Sequence, residues 1–455
     1  MFIADFLEGS DLVFGGQRLC ASLVGERSSM AGAGQDGGYM RVAIVGGVRT
    51  PFVKAAGVFS AYSALDLGVH VVTACVERLG LDASLIDELY FGTVLLDPRI
   101  PNLAREIILR SGLPKTISGH FVSNNCITGL VAANAAREAI LSGRIKAAII
   151  GGSESMSTPT LTFPRSGERF FLRLNKARGF GQKLSVATSF RPGFLIPQAP
   201  SPKEPSTGLT MGQHCEVMAQ EFGITRAEQD EIALMSHQRG QAAKSQGTLA
   251  QQIVALGGVS EDNLIRAETS AEKLATLPAV FDRSSRGTIS AGNSSALTDG
   301  ASAVCLMLDS YARELGLPII GYLDGVEFAS VPPGDGLLMA PALALPKVMR
   351  KVGVTVADCG VFEIHEAFGA QVVCNMRAWE NGWDRYRDLS PIGSIPREKM
   401  NVFGGSIALG HPFAATGGRL LLNTCAALQE RSARNGLISV CAAGGGAAAA
   451  AISIA

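Results

Sequence analysis

Four residues that could carry covalent or acid–base chemistry lie in short stretches rich in small residues. Cys126 follows a polar run in "FVSNNCITGLVAANAAREA" and comes just before a predicted helix. His411 lies in a turn of "GGSIALGHPFAATGGR", also before a predicted helix. His365 follows a predicted strand in "EIHEAFGAQ", and Cys441 lies at the end of one in "SVCAAGGGAA". A cysteine and a histidine are the minimal pair for an activated thiolate nucleophile.

The position of Cys126 indicates how its thiol could be activated. The start of a helix offers unpaired backbone N–H groups and the positive end of the helix dipole. Such positions can lower a cysteine pKa from about 8.5 to roughly 3.5–7.5. We therefore expect a lowered pKa for Cys126 if it is catalytic. A lone cysteine in apolar surroundings is more often structural, so its position alone leaves both interpretations open.

Two helices of small residues suggest an internal repeat. Alanine and glycine lie on every face of both, which predicts burial on all sides, although alanine also favours helices in general. We expect the two helices to pack on each other between two sheets. Ser153, at a strand end, follows Thr128 by 25 residues (153 − 128), and Cys441 follows Thr416 by the same 25 (441 − 416). This spacing predicts a duplicated α/β unit.

The 455-residue chain has the composition of an α/β protein with buried strands: 47% of its residues are hydrophobic and 18% are charged. From Met40 onward, short β-branched runs alternate with helical stretches, as in an α/β sheet with helices on its faces. A Pro-rich and basic region at about 158–286 interrupts this pattern and is interpreted as an insertion. We predict a weakly ordered N-terminal extension (1–39), a first domain that contains the insertion (40–309) and a second domain (316–455).

Charge and cysteine content exclude several classes of function. The 40 basic and 40 acidic residues cancel, so bulk charge gives no reason to expect nucleic-acid binding. The nine cysteines are odd in number and form no CxxC, which is typical of a reduced, intracellular protein and predicts a cytoplasmic location. His214–Cys215 is a single His-Cys neighbour pair, so no metal site is expected. No apolar run reaches the about 18 residues that a transmembrane helix needs.

From about residue 41 to the C-terminus, these motifs in this order resemble the thiolase family. The matching pieces are "RTPF", "NNCITGLVAANAA", "GGSESMS", "TISAGNSSALTDGASAV", "HEAFGAQ", "NVFGGSIALGHPFAATGGR" and "CAAGGG". The resemblance implies a five-layered αβαβα fold of two similar domains with an inserted loop domain.

The resemblance also implies a role for each candidate residue. Cys126 would be the acyl-accepting nucleophile, His411 would take its proton, and Cys441 would act as a second thiol in general acid/base catalysis. The backbone N–H groups of Cys126 and Ala443 would form an oxyanion hole. His411, together with a water held by His365, would face the enolate oxygen.

Coenzyme A is implied as a co-substrate, with no permanently bound cofactor. By resemblance, its pantetheine would contact Ser295, Met156 and Phe368. Each has a simpler alternative interpretation, since Ser295 could be a turn residue and the other two could be core residues.

The activity implied is CoA-dependent cleavage of 3-ketoacyl-CoA in fatty-acid β-oxidation, by a ping-pong route through an acyl-cysteine. Many thiolases have Asn in place of His365 and Cys-x-Gly in place of Cys441-Ala442-Ala443. "HEAF" and "CAAGG" instead resemble the thiolase subunit of fatty-acid oxidation trifunctional complexes, which favours medium or longer substrates. Alternatives are an acetyl-CoA C-acetyltransferase acting on acetoacetyl-CoA, and a non-catalytic acyl-CoA-binding subunit. The second thiol, Cys441, argues against a carrier-protein ketosynthase.

Partner interactions are less determined by the sequence. The resemblance implies a homodimer or homotetramer and allows a hydratase/dehydrogenase partner subunit. Between residues 165 and 203, Glu168 is the single carboxylate beside eight basic residues: Arg165, Arg169, Arg173, Lys176, Arg178, Lys183, Arg191 and Lys203. This segment is interpreted either as a solvated face or as a site for CoA phosphates, a partner subunit or an anionic membrane. The interleaved "FFLRL" and "FLIP" favour docking or peripheral membrane contact.

Overall fold

The computed structural model describes residues 40–387 and 389–455, so the expectation for residues 1–39 lies outside the described part. The described strands are β1 (Val42–Arg49), β2 (Val53–Lys54), β3 (Glu88–Gly92), β4 (Ser118–Val122), β5 (Ala147–Glu154), β6 (Thr298–Leu308), β7 (Gly321–Ser330), β8 (Cys359–Ile364), β9 (Asn435–Ala442) and β10 (Gly446–Ser453). The described α-helices are α1 (Ala64–Leu79), α2 (Leu103–Arg110), α3 (Thr128–Leu141), α4 (Arg165–Lys176), α5 (Phe180–Ala187), α6 (Met211–Glu221), α7 (Arg226–Ser245), α8 (Ala271–Ala275), α9 (Asp309–Glu314), α10 (Pro341–Val352), α11 (Gly369–Asn381), α12 (Ser406–Leu409) and α13 (Thr416–Glu430).

The strands form one mixed sheet with two similar halves. The order along the sheet is β4-β3-β5-β6-β1-β7-β10-β9-β8, and β2 pairs with β6 off this path. The halves meet where β1 pairs with β7 at only two positions, Ala43 with Tyr322 and Ile44 with Gly321. Such a short junction lets the two halves turn toward each other.

The strand order confirms the expected duplication. In the first half, β3-β5 is parallel while β5-β6 and β6-β1 are antiparallel. In the second half, β8-β9 is parallel while β9-β10 and β10-β7 are antiparallel. The same order and directions therefore recur, with α3 preceding β5 as α13 precedes β9. The first half adds β4, whereas the second has a single parallel bridge from Phe362 to Met400 at that edge.

Three hydrophobic cores arrange these elements in layers. Alternate residues of each strand face opposite sides of the sheet, because side chains of a strand alternate. Ala43 and Val45 of β1 pack with α1 and α2, whereas Val42 and Ile44 pack with α3 and α13. In the second half, one face contacts α3 and α13 and the other contacts α10 and α11. The five layers are therefore outer helices, the first half of the sheet, the central helices, the second half of the sheet and outer helices. This arrangement confirms the five-layered αβαβα fold.

The central helices α3 and α13 cross with their backbones in contact. A Cβ added to Gly129 would lie 3.0 Å from the Gly417 Cα, and one added to Gly417 would lie 2.8 Å from the Leu130 N. Small residues therefore serve close approach and not only helix propensity, as the sequence suggested. The two helices contact each other near their N-termini, so the segments that lead into them are brought together.

The insertion is helical and is tied to the core by buried polar contacts. Residues 158–286 are described throughout and contain five α-helices and no β-strand. The Arg49 guanidinium at the end of β1 donates to the Asp262 carboxylate at 2.6 and 2.7 Å, with both side chains buried. Helix α7, which begins with a capping box of Thr225 and Glu228, packs against α11 and α12. Among the described helices, none combines the length and apolarity that a membrane crossing requires.

We predict that Gly417→Ala lowers the free energy of unfolding. The new methyl group would overlap the α3 backbone, and overpacking of a tight core costs about 1–3 kcal/mol. Urea denaturation followed by circular dichroism measures the difference. Gly181→Ala is the matched control, because Gly181 lies inside α5 and a Cβ added to it would meet no atom within 4 Å. That change should be neutral or stabilising by up to about 1 kcal/mol. Equal stability losses in both variants would contradict the close-contact argument.

Candidate active site

Cys126 lies in a tight turn that leads into α3. It precedes the first helical residue, Thr128, by two positions, and Asn125 before it has a positive φ of 47°. The Asn125 side-chain amide donates to the Ala443 carbonyl oxygen at 3.0 Å. Ala443 begins the short turn between β9 and β10. Asn125 therefore joins the two loops that were expected to supply the oxyanion hole.

Cys126, His365 and His411 come together at this point. The Cys126 Sγ, one ring nitrogen of His365 and one of His411 lie within 4.8 Å of one another. The two imidazole centroids are 4.1 Å apart. This juxtaposition joins the start of α3 with the end of β8 and the turn before α13, as the duplicated fold requires.

Hydroxyl groups hold the far side of each imidazole. His365 Nδ1 is 2.8 Å from the Ser406 Oγ, and His411 Nδ1 is 2.7 Å from the Thr416 Oγ1. The Nε2 atoms of both rings are buried without a hydrogen-bond partner in the described protein. Each ring is thus anchored through Nδ1 and leaves Nε2 for chemistry at the thiol.

Burial controls the protonation of Cys126. It raises the pKa of the thiol to about 12, while hydrogen bonds from the backbone N–H groups of Ala443 and Cys126 itself act in the opposite direction. The negative charge of nearby Glu154 raises the pKa further. The expectation of a lowered pKa was therefore wrong for the free protein, because the loss of hydration outweighs the two N–H groups. Those N–H groups nevertheless both favour the thiolate form.

Both imidazoles are held neutral. Burial, followed by the positive charge of Arg419, lowers the pKa of His411 to about 3. Burial also lowers the pKa of His365 well below its usual value, with the neighbouring His411 and Arg419 adding to the effect. At neutral pH the site consequently combines a neutral thiol with two neutral imidazoles.

Cys441 is the candidate second thiol. It lies near the end of β9 with 1% of its surface exposed. Burial raises its pKa well above the usual value, and a charge on Cys126 would raise it further. The Cys441 thiol therefore holds its proton at neutral pH, the state that a general acid requires.

Glu154 is a functional residue that the sequence analysis did not single out, although it lies within the quoted "GGSES". Its buried carboxylate accepts from the Leu95 N–H at 2.8 Å and from the Thr93 hydroxyl at 2.9 Å. It also accepts from the Ala414 N–H at 3.4 Å. Glu154 thereby fixes the loop after β3 to the turn that carries His411.

The three candidate CoA-contact residues lie on segments beside His411. The Thr298 hydroxyl accepts from the His411 N–H at 3.0 Å, and the Thr298 N–H contacts the Met156 sulfur at 3.2 Å. The Ser295 N–H donates to a carbonyl in the loop that precedes Phe368. Phe368 is largely buried and packs edge-to-face on another ring. The structure therefore places all three near the site, and their CoA contacts stay predictions.

The thiol and the two imidazoles are also the donor types that bind Zn²⁺ in proteins. All three have a use in thiol chemistry without a metal, and the expectation of no metal site stays a prediction.

Comparison with known proteins agrees with this fold. Residues 42–310 match the family model of the thiolase N-terminal domain, and residues 317–454 match that of the thiolase C-terminal domain. The chain belongs to the thiolase family.

The relatives give the comparison more detail. A 3-ketoacyl-CoA thiolase of Pectobacterium carotovorum is 39% identical over 413 residues, which is 89% of this chain and 94% of that protein. A 3-ketoacyl-CoA thiolase of Yersinia enterocolitica matches to the same extent. The solved acetyl-CoA acetyltransferase of Syntrophomonas wolfei has a TM-score of 0.77 at 30% identity, covering 91% of this chain and 99% of its own.

The pKa of Cys126 predicts how its alkylation depends on pH. Because the thiolate is the reactive form, and because the pKa lies near 12, the iodoacetamide rate should rise about tenfold per pH unit between pH 7 and 9.5. The rate is measured by mass spectrometry of the peptide that contains Cys126. Cys126 should also react first among the described cysteines, since the other seven are buried.

Glutathione is the control for this measurement, since an exposed thiol with a pKa of about 8.5 should approach a plateau within the same range. A plateau for Cys126 below pH 8 would show that its pKa is low in the free protein.

Proposed function

We propose that the protein catalyses CoA-dependent cleavage of 3-ketoacyl-CoA to acetyl-CoA and an acyl-CoA shortened by two carbons. The observation that carries this proposal is the cluster in which the Cys126 sulfur and one nitrogen each of His365 and His411 lie within 4.8 Å. The backbone N–H groups of Cys126 and Ala443 favour the thiolate form of the same sulfur. A nucleophile, a neutral base and oxyanion donors are what carbon–carbon cleavage through an acyl-cysteine requires.

In the first half-reaction, the Cys126 sulfur attacks the 3-keto carbon as His411 Nε2 takes the thiol proton. The N–H groups of Cys126 and Ala443 stabilise the resulting alkoxide. Its collapse breaks the bond between C2 and C3 and leaves an acyl thioester on Cys126. The electron pair moves into the enolate of acetyl-CoA, which takes the Cys441 thiol proton at C2. The raised pKa keeps Cys441 protonated until this transfer, and it makes the resulting thiolate a strong base for the next step.

In the second half-reaction, the Cys441 thiolate takes the proton of free CoA. The CoA sulfur attacks the thioester on Cys126, and the tetrahedral intermediate expels the Cys126 thiolate. His411 returns its proton to that sulfur, so both thiols and the imidazole regain their starting states. CoA is a substrate in this scheme, and no permanently bound cofactor is needed.

The relatives support the choice of substrate. Proteins named 3-ketoacyl-CoA thiolase match at 39% identity over 89% of this chain, whereas two solved acetyl-CoA acetyltransferases match at 29% and 30%. This difference favours a 3-ketoacyl substrate of fatty-acid β-oxidation over acetoacetyl-CoA. An assay with acetoacetyl-CoA and with 3-ketoacyl-CoA of 8 to roughly 16 carbons tests the proposal. Preference for acetoacetyl-CoA would favour the acetyltransferase alternative.

We predict that Cys126→Ala and Cys441→Ala both lose thiolytic activity, for different reasons. Loss of the nucleophile should lower kcat by about 10⁴-fold or more. Loss of the general acid should lower it by about 10²–10⁴-fold. The measurement is the decrease in absorbance of the 3-ketoacyl-CoA enolate on addition of CoA. Mass spectrometry of acyl-CoA-treated protein should find an acyl group on Cys126 of the native chain only.

Cys305→Ala is the matched control, because Cys305 is a buried free cysteine of the outer core that packs with α1 and α2. It should retain most of the activity. Full activity in Cys126→Ala would refute the acyl-cysteine mechanism.

The proposal also includes the assembly and location of the protein. By resemblance to the family, we expect a homodimer or homotetramer. We expect it in the cytoplasm, because all eight cysteines in the described part of the chain are free and reducing compartments keep thiols reduced. We further propose two α/β domains, 40–309 with its inserted loop domain and 316–455.

The basic segment from 165 to 203 is the candidate surface for contact with a hydratase/dehydrogenase subunit or an anionic membrane. Its two helices α4 and α5 carry exposed apolar side chains beside the basic ones. Phe180 is 82% exposed and Leu172 is 68% exposed. Exposed apolar side chains among positive charges suit an amphipathic, acidic surface.

A further inference from the structure

A chain of buried polar groups lies behind His365. The His365 Nδ1 is 2.8 Å from the Ser406 Oγ, and the Arg419 Nη2 donates to the same oxygen at 2.8 Å. The Arg419 Nη1 lies 3.8 Å from the Glu363 Oε2. All four residues have no surface exposed to solvent. The chain joins β8, α12 and α13 to the site.

The donor properties of these groups determine the tautomer of His365. A guanidinium can only donate, so the Ser406 oxygen must accept from Arg419. The remaining contact of that oxygen is His365 Nδ1. If Nδ1 carried a proton, Ser406 would accept from both neighbours, and its own buried hydroxyl proton would lack an acceptor at a cost of about 1–3 kcal/mol. Ser406 therefore donates to Nδ1, and the neutral ring carries its proton on Nε2.

We propose that Arg419 and Ser406 are positioning residues that hold His365 as the Nε2–H tautomer, a fixed hydrogen-bond donor for the oxygen that becomes negative during the reaction. The role of His365 as a donor rests on the proposed function, whereas its tautomer follows from the hydrogen bonds alone. The His365 Nε2 is buried and has no acceptor in the described protein. A substrate oxygen, or a water bound to it, supplies that acceptor.

His411 needs the opposite tautomer. To take the Cys126 proton, its Nε2 must carry a lone pair, so its Nδ1–H donates to the Thr416 Oγ1 at 2.7 Å. No guanidinium contacts Thr416 among the described hydrogen bonds, so this hydroxyl remains able to accept. The two adjacent imidazoles thus have different tautomers, because the Ser406 hydroxyl must donate to His365 whereas the Thr416 hydroxyl can accept from His411.

Burial lowers the pKa of Arg419, while the neighbouring carboxylates of Glu363 and Glu366 favour its charged form. A guanidinium nevertheless stays protonated in proteins. Since the ion pair is buried, its net stabilising contribution is small. Its function in this proposal is directional, because a permanently charged donor cannot exchange roles with Ser406.

Ser406→Ala tests the assignment directly. The ¹⁵N shifts of the ring nitrogens are measured in the full-length protein labelled at its six histidines, with His365→Asn identifying the signals. Native His365 should have the Nε2–H pattern, and Ser406→Ala should show a mixture or the other tautomer. Ser439→Ala is the matched control, because the Ser439 Oγ is buried without a hydrogen-bond partner. A native Nδ1–H pattern, or no change in Ser406→Ala, would overturn the proposal.

Kinetics test the role of the donor. Ser406→Ala should lower kcat by about 10- to 100-fold with a smaller change in KM, which is less than the 10²–10³-fold typical when an oxyanion donor is removed outright. Its rate of Cys126 alkylation should stay within about twofold of native, whereas general damage to the site would change it. An unchanged kcat together with a changed tautomer would refute the donor role. Absence of thiolytic activity in the native protein, with the Nε2–H pattern present, would refute the proposed function and support the tautomer.

Discussion

The backbone contact between α3 and α13 is the constraint on which the site depends. Each helix has a glycine at its second position, Gly129 and Gly417, and the two glycines face each other without side chains between them. This close crossing lets the two halves of the sheet enclose the helix pair. It also brings the turns before both helices together, so Cys126 lies close to His411. A larger crossing distance would separate these two side chains while leaving each half of the fold intact.

The same enclosure determines the electrostatics. Because the two halves of the sheet enclose the site, burial raises the pKa of both thiols and lowers that of both imidazoles. An ion pair between Cys126 and His411 is therefore unfavourable before substrate arrives. In the proposed mechanism, a substrate carbonyl oxygen takes the negative charge and the N–H groups of Cys126 and Ala443 stabilise it. The charge would then form where preorganised donors lie, and not in the resting protein.

The sequence predicted most of the fold, and it singled out Cys126, His365 and His411, which the structure brings together. Small residues on every helix face imply burial on every face, and the repeated spacing implied the duplicated unit. The pKa of Cys126 could not be predicted in the same way, because it depends on the balance between burial and two N–H groups. Ser406 and Arg419 lie in a quoted motif, yet their relation to His365 requires the contact of α12 and α13 with the end of β8. Spacing along the chain does not show which hydroxyl faces which ring.

Duplication explains why the two halves contribute different groups to one site. Ser153 occupies the position in the first half that Cys441 occupies in the second, since each lies near the end of the strand that follows a central helix. The Ser153 hydroxyl donates to the Ala64 carbonyl at 2.6 Å and so anchors the start of α1. In the proposed mechanism, Cys441 is instead the general acid. Equivalent positions would then be structural in one half and reactive in the other, so a nearly symmetric scaffold can support an asymmetric reaction.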